Sequence, residues 1–205
     1  MTRPGPVQYG SRVPAHPAEN RGYRELYVTG RQAVKRLGRL AAAFDATPAR
    51  ELLDKATDSI SRLLDELGPL TARHDLHGGV AAQGSGVNLG TVRGAVFDRF
   101  LERNQALRFA VEDLEHVTTL LGYLARVSEA RGDTQLSEFC GSWERRLRRQ
   151  VNAVRKAAIE LGGDPDGAVQ PLDDSPGSRA AHRVAWTLGS VGEWTDRQVA
   201  RRKRW

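Results

Sequence analysis

A chain of 205 residues, 40% of them hydrophobic, is long enough to bury one substantial core, which makes a single well-packed domain with appendages the expected organisation. One cysteine, Cys140, excludes a disulfide framework and suits a reducing compartment, and the lack of any run of about 18 apolar residues excludes a membrane-spanning helix. The net charge of +6 is unevenly placed: residues 1–134 carry 18 basic and 16 acidic side chains, whereas residues 135–205 carry 13 and 9. No apolar leader occupies the first 22 residues, and the expected location is the cytosol.

Residues 1–22 are rich in Pro and Gly without apolar periodicity and read as a flexible tail. From Arg24, the positions Leu26, Val28, Ala33, Val34, Leu37, Leu40, Ala41 and Phe44 follow a helical repeat and predict the first helix. Thr47-Pro48 supplies a cap and a proline suited to a first helical turn, so a second helix starts there, with Leu52, Leu53, Ile60, Leu63, Leu64 and Leu67 on its core face. Gly68-Pro69 is a stop signal that this helix can override to reach Thr71 to His74.

The run HDLHGGVAAQGSGVNLG is longer than an ordinary helix connection and predicts a crossover. Its glycines precede a helix, yet no strand precedes them as the nucleotide-binding glycine motifs require. His74 and His77, beside this loop, read as solvated. A third helix runs from near Thr91 to Ala130 and turns at Gly132-Asp133-Thr134. A fourth runs from Leu136 to Leu161, with Phe139, Cys140, Trp143, Leu147, Val151, Val154 and Ala158 on one face. The bundle thus spans residues 23–163, a linker 164–177, and a basic C-terminal segment 178–205, helical to about Lys203.

The third helix has two apolar faces. Phe100, Leu107, Val111, Leu114, Thr118 and Leu121 point to the core, while Phe109, Leu120, Tyr123 and Val127 gather almost opposite, where a solvated helix carries charge. The C-terminal helix, offering Ala181, Val184, Ala185, Leu188 and Val191, is the expected cover, and a second subunit is the alternative.

The helix order, the long crossover and the run Gly122-Tyr123-Leu124-Ala125-Arg126 to Gly132-Asp133-Thr134 resemble the ferritin-like superfamily, most closely its bacterial stress-response branch. The resemblance covers residues 23–163. It implies an all-α four-helix bundle of two helical hairpins joined by a crossover and, in active members, a di-iron site built from Glu on two helices and Glu-x-x-His on the other two. This sequence departs from that set. The first helix offers Gln32 mid-length and a carboxylate only at Glu25; the second has Asp54 and Asp58 without a His three residues on; the fourth has Glu144 followed by Leu147. Asp113 and His116 alone keep the spacing, but on the second apolar face, so iron or another divalent metal would have to sit between the third and C-terminal helices with His182 as a further ligand. The expectation is no resident cofactor and no catalytic residue, with a divergent di-iron oxidoreductase or iron-handling stress protein as the alternative.

Basic residues supply the remaining signal. The fourth helix carries Arg145, Arg146, Arg148 and Arg149, and the C-terminus carries Arg197, Arg201, Arg202, Lys203 and Arg204 with Trp205. Arginine with tryptophan suits a protein interface, and the same charge suits an anionic polymer. The expected function is a binding or assembly module that contacts another protein or a second copy through the C-terminal helix. RNA or DNA is the alternative partner, and a membrane surface is disfavoured.

Overall fold

The computed structural model describes residues 15–44, 47–76 and 101–172, and these form four long helices. They are α1 (Pro17–Ala43), α2 (Pro48–Ala72), α3 (Arg103–Ala130) and α4 (Thr134–Glu160). A 3₁₀ turn (Leu161–Gly163) and a one-turn helix (Pro165–Ala168) follow, and a single antiparallel bridge then pairs Pro171 with Glu102 at the start of α3. The predicted C-terminal helix, Phe100 and the Gly-rich loop lie outside the described residues.

The first helix starts at Pro17, inside the segment read as a tail. The reason is local: His16 caps it, with Nδ1 accepting from the Ala18 amide, while Glu19 reaches back to accept from the His16 amide at 2.9 Å, and Pro17 takes the first position. Periodicity alone missed this turn because its signal is a cap rather than an apolar stripe. The second helix passes its stop signal and includes Pro69. A proline clashes with the Cβ of a helical residue before it, and Gly68 has none.

The turn between α3 and α4 falls where its residues predict. Gly132 takes φ +74°, its amide donates to Glu129 O, and the Asp133 amide donates to Ser128 O, which closes α3 in a Schellman motif. Asp133 then caps α4 by accepting from the Leu136 amide. The same carboxylate receives both oxygens' worth of contact from Arg73 at 2.8 and 2.7 Å, tying the end of α2 to this turn.

Every neighbouring pair in the bundle is antiparallel. Tyr27 meets Thr71 between α1 and α2, Arg36 meets Asp113 between α1 and α3, and Glu66 meets Trp143 between α2 and α4. The end of α2 therefore lies beside the α3–α4 turn, and α3 begins at the opposite end of the bundle. The buried interior is aliphatic, with Leu26 and Leu37 from α1, Ile60 and Leu63 from α2, Leu114 and Leu121 from α3, and Leu147 and Val154 from α4. Each such side chain contributes about 1.5–3 kcal/mol on leaving water.

Two glycines of α1 occupy contrasting places. A Cβ on Gly22 would lie 2.7 Å from Cδ2 of the buried Leu124, so the absence of a side chain sets the approach of α1 to α3, whereas a Cβ on Gly38 would meet nothing. Gly22→Val should lower stability by about 1–3 kcal/mol, and Gly38→Ala should raise it by about 0.5–1 kcal/mol. Urea denaturation of the two variants beside the wild type measures both.

Candidate functional site

Asp113 and His116 sit one turn apart on the side of α3 that faces α1, and each has an α1 partner. Asp113 accepts from Arg36 at 3.3 Å, and that guanidinium lies over the Phe109 ring, 5.1 Å from its centre. His116 Nε2 is 3.3 Å from Glu25 Oε1, with both side chains about half exposed. The two side chains thus serve as contacts between helices. His182 lies outside the described residues.

Of the other carboxylates that the family pattern would turn inward, Asp54 and Asp58 face outward, and Glu144, largely covered, is held in an ion pair. Asp54 pairs with Arg50, Glu144 pairs with Arg148, and Asp58 is exposed. Among the described residues no three His, Cys, Asp or Glu side chains converge on one point. At mid-height the interior is filled by Ile60, Leu63, Leu114 and Leu147, so the residues present do not fit a di-iron centre, which needs carboxylates and imidazoles converging there. His74, expected in solvent, is largely covered, with Nε2 3.4 Å from Asp133. His77 lies outside the described residues.

Sequence reasoning missed a buried polar layer near the α3–α4 turn. The Tyr23 hydroxyl is 2.9 Å from Ser128 Oγ and 3.7 Å from Cys140 Sγ, joining α1, α3 and α4. Tyr27 is 2.7 Å from Thr71 Oγ1, which donates to the Leu76 carbonyl at 2.8 Å. Every buried hydroxyl of this layer is thereby satisfied. Burial pushes the Cys140 thiol up to about 11, with Asp133 adding to the rise and the Tyr23 hydrogen bond opposing it. Burial, then the neighbouring thiol, raises Tyr23 as well. A thiol held protonated is a poor nucleophile, and packing is its role. The Tyr23-Tyr27 spacing was the available signal, hidden by starting the first helix at Arg24.

The basic flank of α4 is partly neutralised. Arg146 lies over the Trp143 ring at 4.2 Å, and Trp143 Nε1 donates to Glu66 at 3.2 Å. Arg148 pairs with Glu144 and Arg155 with Glu115 across to α3, while Lys156 is 3.7 Å from Glu160. Arg145 and Arg149 are exposed and have no carboxylate partner among the described residues. Arg197, Arg201, Arg202, Lys203, Arg204 and Trp205 lie outside the described residues.

The second apolar face of α3 is divided. Leu120 is buried and Phe109 half-buried against α1, but Tyr123 is 50% exposed. No helix among the described residues is long and apolar enough to cross a membrane. No protein-family model matches the chain, and no curated protein or solved structure matches it at a significant level. The described residues are therefore defined by their own geometry as an all-α arrangement of four long helices.

The polar layer has a pH consequence. The unfolded thiol ionises near 9.0 and the folded one near 11, so the native state holds that proton more tightly, and its contribution is present below 9 and lost as pH rises towards 11. Wild-type protein should lose more stability between pH 8 and 10.5 than Cys140→Ala does, by up to about 2 kcal/mol. Tyr23→Phe, which strips the bridging hydroxyl, should be destabilised by about 1–3 kcal/mol at neutral pH. Denaturant midpoints at the two pH values test both statements.

Proposed function

We propose that this chain is a ferritin-like helical bundle that acts as a binding or assembly module, with its basic C-terminal helix as the contact surface, rather than as a di-iron catalyst. The observation that carries the non-catalytic reading is the aliphatic filling of the interior by Ile60, Leu63, Leu114 and Leu147, while Glu25, Asp54 and Glu144 are engaged by His116, Arg50 and Arg148. The ferritin-like arrangement is supported by two antiparallel hairpins whose facing chain ends lie at opposite ends of the bundle, a separation that residues 77–100 have to cover.

The contact reading rests on composition and charge. Five basic residues and Trp205 lie within the last nine positions, and a guanidinium brings both charge and a flat face to an interface. A second reading, an RNA or DNA partner, draws support from Arg145 and Arg149, which are exposed without a carboxylate partner among the described residues.

Sedimentation velocity of the full chain against R197E/R201E/R202E/R204E tests the assembly reading. The wild type should associate at about 10 µM, a micromolar affinity being ordinary for a modest interface, and the charge-reversed chain should remain a monomer. Equal behaviour of the two would contradict it. For the second reading, retention on single-stranded RNA should fall steeply with salt and weaken in R145E/R149E.

A further inference from the structure

The groove between the start of α1 and the middle of α3 holds about 510 Å³, walled by Pro17, Ala18, Arg21 and Gly22 on one side and by Leu120 and Tyr123 on the other. Its chemistry is that of a packing surface. Tyr123 exposes half its ring and Leu120 lies at the floor, while Arg21 and Glu25 bring charge to the α1 rim. Further along the same seam, Phe109 is half-buried under Arg36.

We propose that this groove is the docking site for the apolar stripe of the chain's own C-terminal segment, residues 178–191. The place where the described chain ends carries the argument. Leu172 is buried, and its amide donates to the Leu101 carbonyl at 2.9 Å, so the chain departs beside the first turn of α3. Residues 173–205 remain, and the five residues 173–177 reach about 15 Å, enough to bring residue 178 onto the α1–α3 seam. From there a helix running along α3 presents Ala181, Val184, Ala185, Leu188 and Val191 over about 15 Å, close to the roughly 20 Å that separates Phe109 from Tyr123 along α3. Small residues at Ala181 and Ala185 suit the narrow seam, and Val191 falls at the level of Leu120 and Tyr123. The basic residues from Arg201 onward then lie at or beyond the end of α3, at Ala130. This deepens the proposed function, resting on its reading of residues 178–203 as a helix: the stripe anchors that helix, and the cations past it stay available to a partner.

Thiol labelling of full-length Tyr123→Cys with Ellman's reagent tests the docking, with Arg21→Cys as a reporter on the opposite wall and Ser142→Cys, on the exposed side of α4, as the open reference. Cys140 is buried and contributes little background. Both groove thiols should react at least about tenfold more slowly than the reference, because labelling then requires the segment to lift. Val184→Glu with Leu188→Glu should return them to within about twofold of it, the protein staying monomeric at the labelling concentration. Groove thiols that react as fast as the reference overturn the proposal. So does protection that survives the two Glu substitutions, which would assign the cover to another segment, or protection that appears only as a dimer forms, which would assign it to a second copy. Charge reversal at Arg197 to Arg204 leaves the stripe intact, so loss of association in that variant and loss of protection in the Glu variant report separately on function and docking.

Discussion

The two hairpins are held together across the α1–α3 and α2–α4 seams, since the end of α2 and the start of α3 lie at opposite ends of the bundle. At one end of the first seam Gly22 allows Leu124 to close on α1, and the Tyr23 hydroxyl reaches Ser128 and Cys140 beside it. Further along, Arg36 spans to Asp113. The second seam is more polar, with Trp143 donating to Glu66, Gln150 Nε2 2.6 Å from Ser59 Oγ, and Arg73 clasping Asp133. Aliphatic burial supplies most of the driving force for collapse, but it is nearly indifferent to register. The Tyr23–Ser128–Cys140 contact is buried and directional, and mispairing would strand its hydroxyls in a dry interior, so it selects this register over neighbouring ones.

That division of labour bears on function. A di-iron bundle accepts unfavourable carboxylates in its interior because two metal ions neutralise them. Here the interior positions are aliphatic, and the acidic side chains nearest the expected ligand sites are committed elsewhere: Asp113 to Arg36, Glu25 to His116, Glu144 to Arg148. Converting this interior to a metal centre would require several simultaneous substitutions, each burying a charge without its counter-ions. Among the described residues, Arg145 and Arg149 on α4 are exposed cations with no carboxylate partner.

The four long helices and the α3–α4 turn were legible because they depend on local rules, but the expected start of the third helix near Thr91 was not met: α3 begins at Arg103, where the Glu102–Gln105 capping box sets its first turn and Leu101 and Glu102 are not helical. The apolar stripe of Leu52 to Leu67 has a clear period, and Gly132-Asp133 has the conformational freedom and the capping side chain that such a turn needs. The start of α1 was not legible from periodicity, since Pro17 to Gly22 owe their helical state to the His16–Glu19 capping box and to packing of Gly22 and Tyr23 on another hairpin. The polar layer was hidden for the same reason: Tyr23, Ser128 and Cys140 are more than a hundred positions apart or on different helices, and their meeting is a tertiary fact. Placement of Asp113 and His116 away from the core stripe followed from the helical wheel, whereas their partners on α1 did not, because the wheel gives the direction of a side chain and not what stands opposite it.

Differential scanning calorimetry of metal-free full-length protein, with and without an excess of ferrous iron under nitrogen, tests the central claim most directly. A ligand that binds the native state raises the melting temperature by mass action, so an aliphatic interior without a ligand set predicts a shift of less than about 1 °C. A rise of several degrees that saturates at about two irons per chain would contradict the account and restore the bundle to the di-iron proteins.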